Sequence, residues 1–319
     1  MVAKIRPKFG VILLPYSTSP KQIIEAAKHA EALGFDSVWV SDHLQRGSIP
    51  TLECWTTLSA IATSTQSIRL GSLATCNSFR NPVLLAKTIA TVSQIARGRL
   101  DLAIGVGYDS AEHLSSGYPF PNSARRTEQL GETVEILKLL FSKESVNYSG
   151  KYWKLVEAVC EPKPLSDGAI WIAGRSEKLI NMASSLAIKG MNILPYAGVL
   201  DKRKLSSFEE LTALTNRIKT SGLAVSMYCG DGGTIIGRDA SDYQFRLEKV
   251  ATELGLPLQV LAERQANLSV VRGSVDECRR SLDNLNKLGA EELMMIFPGW
   301  QLGDYASMDL FAEEFLGGS

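Results

Sequence analysis

Apolar and polar positions along the chain change period in a regular way. "FGVILLP" is a short continuous apolar run. "SPKQIIEAAKHAEALGF" follows, with Ile23, Ala27, Ala30 and Leu33 at helical spacing, Ser19 as a cap, Pro20 in the first turn and Gly34 as the stop. The same alternation continues: strand "SVWVSD", helix "ECWTTLSAIATST", strand "IRLGSLAT", helix "NPVLLAKTIATVSQIARG", strand "RLDLAIGVG", helix "SARRTEQLGETVEILKLLFS". In the second half, "AIWIAG", "MNILPY", "AVSMYC" and "ELMMIFPG" read as strands. Helices "SEKLINMASSLA", "SFEELTALTNRIKTSG", "DYQFRLEKVATELG" and "SVDECRRSLDNLNKLGA" lie between them, and "YASMDLFAEEFL" closes the series. "VNYSGKYWKL" alternates around a Ser-Gly turn and predicts a hairpin inserted between the fourth helix and the fifth strand.

Eight strands rich in Val, Ile and Leu, each followed by a helix, suit a parallel sheet covered on its outer face. Over this length they predict an α/β fold, a (β/α)8 TIM barrel, with a doubly wound open sheet as the alternative. No linker composition interrupts the 319 residues, so the expectation is one domain over 1–319.

Composition changes this picture little. Hydrophobic residues are 45% and charged residues 21%, and the formal net charge is zero, which excludes a broad electrostatic footprint for nucleic acid or an anionic membrane. The five cysteines are scattered with no CxxC, so neither a disulfide frame nor a metal site is expected. "MVAKIRPKFG" has no signal-peptide core, and a cytoplasmic protein is expected.

The chemistry concentrates where strands end. In a (β/α)8 barrel the site forms at the C-terminal ends of the strands. The strand "VWV" runs without a turn signal into Ser41, Asp42 and His43, and an acid and an imidazole are costly to bury unpaired. His43 and Asp42 are therefore the candidate catalytic residues. Tyr108 and Asp109 are candidates for lining a substrate pocket. Arg80 reads either as a partner for an anion or as a surface ion pair. In "IAGRSEKL" a strand ends at Gly174 and a helix starts near Ser176. The N–H groups of such a turn can hold a phosphate, with Arg175 adding charge. "GDGGTIIG" lacks the Lys-Ser/Thr of a Walker motif and reads as a mobile loop.

"GFDSVWVSDHL", "IRLGSLATCNSFRNP", "IATVSQIARGRLDLAIGVG", "RTEQLGETVEILKLLF" and "AIWIAGRS" resemble the bacterial luciferase-like family. Within it they are most similar to the branch that uses the deazaflavin coenzyme F420, with its glucose-6-phosphate dehydrogenases and methylenetetrahydromethanopterin reductases. The resemblance implies Asp42 and His43 beside the cofactor ring. It implies a non-prolyl cis peptide at Leu73-Ala74 backing the ring, with Thr75 beside it, and a wall at Gly105, Val106 and Gly107. Ala173, Gly174, Arg175 and Ser176 would take the cofactor phosphate. It further implies a homodimer and hydride transfer to or from a small organic substrate. The glutamate after the first strand and the tryptophan after the histidine, found in the dehydrogenases, are absent: this chain has "LLPYSTS" and "LQRGSIP" there. An FMN-dependent monooxygenase and a non-catalytic flavin-binding protein are the alternative readings.

Overall fold

A computed structural model of the chain describes residues 6–165, 169–194, 207–229, 233–265 and 271–317. Eight parallel strands close a barrel: β1 (Lys8–Leu13), β2 (Ser37–Val40), β3 (Arg69–Cys76), β4 (Leu100–Gly105), β7 (Ile170–Ala173), β8 (Gly190–Ile193), β9 (Ala224–Cys229) and β12 (Glu292–Met295). Each pairs with the next, and β12 pairs with β1. The main helices are α1 (Pro20–Ala32), α2 (Cys54–Ser64), α3 (Pro82–Ile95), α5 (Ser123–Ser142), α6 (Glu177–Ser185), α7 (Phe208–Thr220), α8 (Ala240–Glu253) and α10 (Val275–Lys287). Their starts follow local chemistry. Ser19, Ser207 and Ser274 each form a capping box with the Gln or Glu three residues on, and Asn81 caps α3 ahead of Pro82.

The strand "SVWV" shows how one apolar run serves two layers. Val38 and Val40 face outward into the core between strands and helices, while Trp39 joins Ile12, Leu73, Ala103, Trp171, Met294 and Ile296 inside the barrel. A Cβ on Gly71 would lie 2.2 Å from the Trp39 ring, and one on Gly10 would lie 2.9 Å from its Nε1. The neighbouring strands thus give up side-chain volume so that one indole can fill the lumen.

β5 (Val146–Ser149) and β6 (Lys154–Ala158) pair antiparallel outside the barrel, between α5 and β7. Two helices lie beyond the sequence reading: α4 (Ser110–Ser115) sits over the end of β4, and α9 (Leu258–Gln265) follows α8. The closing helix read at "YASMDLFAEEFL" is α11 (Ala306–Phe311), which runs on as a π turn over 312–316. "GDGGTIIG" is only partly a loop. Its residues 230–232 lie outside the described ones, but Thr234, Ile235 and Ile236 are buried, and Ile236–Gly237 forms β10, paired with β11 (Gly273–Ser274). Ile235 packs with Leu247, Val250 and Ala251 of α8, so apolar burial overrides the glycine signal. The end of the predicted strand "MNILPY", residues 195–196, also lies outside the described residues. No helix among the described residues is long and apolar enough to cross a membrane.

Candidate active site

His43 leaves β2 buried, 9% exposed, at the C-terminal end of the barrel. Its Nδ1 lies 2.7 Å from Glu112 Oε2. Glu112 sits on α4, whose cap is Asp109: the Asp109 carboxylate accepts the Glu112 N–H. The second Glu112 oxygen accepts the backbone N–H groups of Leu44 at 2.6 Å and Gln45 at 3.1 Å. Burial pushes the Glu112 carboxyl up, but the His43 contacts and these N–H bonds outweigh it and hold it below the usual carboxylate range. An ionised carboxylate only accepts, so Nδ1 carries a proton and Nε2 is the nitrogen left for chemistry. Nε2 lies 3.3 Å from the Tyr108 hydroxyl.

The other two histidines are placed differently. His29 pairs with Asp309 at the surface. His113 donates from Nδ1 to the Asp109 carbonyl and stacks between Phe79 and Phe120, with Cys76 Sγ 3.8 Å from its Nε2. Burial pushes the Cys76 thiol up to about 12, so it stays protonated.

Asp42 and Arg80 find each other. The buried Asp42 carboxylate accepts the Cys76 N–H at 2.8 Å and both terminal nitrogens of Arg80, and Arg80 also reaches Glu53 at 3.0 Å. Arg80 is therefore neither a surface ion pair nor available to an outside anion. Asp42 is engaged on both oxygens; its contacts join the end of β2 to the segment after β3, next to His43. Glu53 caps α2, which brings that helix into the same network.

Leu73-Ala74 is a cis peptide. The pairing of β3 with β4 shifts there, so that Leu73 and Ala74 together oppose Ala103. Three of the expected residues meet at this point. A Cβ on Gly105 would stand 3.5 Å from the Ala173 Cβ and 3.8 Å from the Ala74 Cβ, so these small residues of β3, β4 and β7 lie side by side and form one patch of wall. Thr75, Val106 and Gly107 have packing partners of their own. Thr75 is fully buried and its hydroxyl pairs with Ser72 Oγ at 2.6 Å. Val106 packs into the outer core. Gly107, at φ +75°, leaves room for Cys76 and His113: a Cβ there would lie 2.8 Å from the sulfur.

At the end of β7, the Gly174 N–H donates to the Asn192 carbonyl, and Gly174 adopts φ +147°. Ser176 caps α6 by accepting the Leu179 N–H. The N–H groups of Glu177 and Lys178 have no carbonyl within the helix and point out of its first turn, the arrangement that binds phosphate. Arg175 lies half-buried beside it. Among the described residues no group of three or more His, Cys, Asp or Glu is arranged to hold a metal.

Glu112 was absent from the sequence reading. Its signal was present: Asp109 and Glu112 stand at capping spacing directly after a strand.

A model of the luciferase-like monooxygenase family matches residues 5–199. The F420-dependent glucose-6-phosphate dehydrogenase of Amycolatopsis mediterranei is 32% identical over 160 residues, 48% of this chain and 47% of that protein. The protein of the same name from Kineococcus radiotolerans is 33% identical over 161 residues, 49% and 47% of the two chains. The chain spans about half the length of the curated relatives it matches. An F420-dependent secondary alcohol dehydrogenase in complex with an F420-acetone adduct superposes with TM-score 0.78 at 18% identity, over 98% of this chain and 99% of that one. A coenzyme F420-dependent tetrahydromethanopterin reductase from Methanopyrus kandleri gives TM-score 0.75 at 20% identity, over 98% and 99%. A monooxygenase from Streptomyces bottropensis gives 0.77 at 18%, over 97% and 98%. At these identities the structures share the fold.

Proposed function

The chain belongs to the luciferase-like monooxygenase family, and from that premise we propose that it is an oxidoreductase using the deazaflavin coenzyme F420 on a small hydroxyl or carbonyl compound. The observation that carries the reading is the buried His43–Glu112 pair, with Nε2 3.3 Å from the Tyr108 hydroxyl and bound to no carboxylate. The names of the curated relatives support the choice of cofactor.

The residues present fit such a group. Ala74, Gly105 and Ala173, three small residues side by side at the ends of β3, β4 and β7, suit close approach of a flat ring. Gly174, Arg175 and Ser176, with the first N–H groups of α6, suit a phosphate. A bound deazaflavin supplies a hydride donor or acceptor at a ring carbon.

The protein's part is proton handling and placement. For oxidation, His43 Nε2 takes the substrate hydroxyl proton as the carbon loses its hydride. For reduction, it returns that proton to the carbonyl oxygen. The ionised Glu112 holds Nδ1–H and stabilises the imidazolium while Nε2 is protonated. Asp42 and Arg80 keep the ends of β2 and β3 in register and so hold His43 in place.

The test is a pair of titrations of the cofactor-stripped protein, with F420 and with flavin mononucleotide, followed by absorbance. F420 is expected to bind at least about tenfold more tightly. Tighter flavin binding, with reductant-driven oxygen uptake, would overturn the deazaflavin reading in favour of a flavin monooxygenase.

A further inference from the structure

Two loops meet over the imidazole of His43. One follows β1 and carries Tyr16; the other follows β2 and carries Arg46. Backbone bonds tie them together. Ser17 N–H donates to the Pro50 carbonyl and Leu52 N–H to the Pro15 carbonyl, each at 2.9 Å. The second loop also closes on itself: Ile49 N–H donates to the Arg46 carbonyl at 3.0 Å, and Gln45 Nε2 donates to the carbonyls of Gly47 and Ile49. Arg46 therefore extends from a braced loop.

The side chains converge. The Arg46 guanidinium lies over the Tyr16 ring, 5.2 Å from its centroid. The Tyr16 ring meets His43 edge-on at 5.9 Å, and its hydroxyl pairs with Ser41 Oγ at 2.9 Å. Across the imidazole, Tyr108 meets His43 at 5.6 Å between centroids. The imidazole thus lies between two phenols, and a guanidinium stacks on one of them.

What Arg46 lacks is a close ion pair: the Asp109 carboxylate acts on its charge only from beyond 4.0 Å. Among the described residues no carboxylate lies within 4.0 Å of its guanidinium, whereas Arg80, on the same face, spends its fork on Asp42 and Glu53. Tyr16 does not supply the negative charge, because burial pushes its hydroxyl up to about 12. Arg46 is half-buried, and a part-desolvated cation gains from an oxoanion that matches its planar fork.

We propose that the substrate carries an oxoanion, a carboxylate or a phosphate, held by Arg46 while its reacting hydroxyl or carbonyl lies at His43 Nε2. This rests on the hydride-transfer reading above. The substrate class is then a small hydroxy or oxo compound with an anionic group, in place of a neutral alcohol.

Binding, not turnover, tests it. The protein, with and without F420, is titrated calorimetrically at low salt with matched pairs: pyruvate against acetone, and lactate against 2-propanol. Inorganic phosphate serves as the bare phosphate probe. The anion of at least one pair, or phosphate, is expected to bind, with a preference over the neutral partner of about tenfold or more. Arg46→Met is expected to erase that binding advantage, and Arg46→Lys to keep part of it, with unchanged melting temperatures showing that both variants fold. Failure of every anion to bind the wild type, or an undiminished advantage in Arg46→Met, would overturn the proposal. A protein that binds F420 but shows no Arg46-dependent anion binding rejects this inference alone. One that shows the anion effect but binds no F420 rejects the hydride-transfer reading instead.

Discussion

At the N-terminal end of the barrel, Arg69 grips both oxygens of Asp101 at 2.6 Å, and Glu292 accepts the Ser37 hydroxyl at 2.5 Å. Ser37 in turn accepts the Trp39 indole N–H. A cavity of about 430 Å³ opens among these residues. The C-terminal end also carries buried charge, in the Asp42–Arg80–Glu53 and His43–Glu112 groups. The ends differ in where the partners come from. Ser37, Arg69, Asp101 and Glu292 all stand on barrel strands, with β1 between the strands of Ser37 and Glu292, so barrel closure and register alone bring them together. At the other end, Glu112, Glu53 and Arg46 arrive from helices and loops, and among the described residues neither His43 Nε2 nor the Arg46 guanidinium is within 4.0 Å of a carboxylate. A cavity lined by charge is thus no sign of chemistry when the charges satisfy one another; the informative end is the one with an imidazole nitrogen and a cation left over.

Three variants probe that contrast. The largest effect is expected for Arg80→Met, which leaves the Asp42 carboxylate buried without its cation. Breaking a buried pair costs about 3–5 kcal/mol, and denaturant unfolding should register a loss of that size. A loss below about 1 kcal/mol would mean that water reaches Asp42 and that the network is not what joins β2 to β3.

His43→Ala should leave unfolding unchanged within about 1 kcal/mol while turnover on an accepted substrate falls about 10²-fold or more, the usual size of a general acid–base contribution. Equal turnover in the two proteins would move the proton chemistry away from this imidazole and erase the distinction between the ends.

The smallest effect is expected at the opposite end. Burial raises the Glu292 carboxyl above the ordinary carboxylate range, with Ser37 pulling the other way. A raised pKa means that the folded state holds its proton more tightly than the unfolded chain. The stability this contributes is full below the unfolded value and is lost as pH rises through the folded one. Glu292→Gln keeps an acceptor for Ser37 and cannot ionise. Melting temperature against pH should therefore decline less steeply in the variant over that interval, with activity untouched. Parallel melting profiles, or a change in turnover, would show that the N-terminal end is coupled to the site.

The alternation of apolar runs with capped amphipathic segments was enough to read the barrel from the chain. Strand and helix periods are local, and caps such as Ser19 with Gln22 are settled within four residues. The strand ends carrying His43 and Gly174 were legible for the same reason, and resemblance located the cis peptide at Leu73-Ala74. The partners were not legible. Nothing near Asp42 in the chain announces that Arg80, 38 residues on, spends its charge, and His43 meets Glu112 across 69 residues. Tyr16 and Arg46 look like ordinary loop residues until two loops are laid side by side. Local periodicity determined which residues reach the barrel mouth. Which of them remain available for chemistry was decided only by closure of the barrel, because a charge buried in a fold is defined by its nearest partner in space.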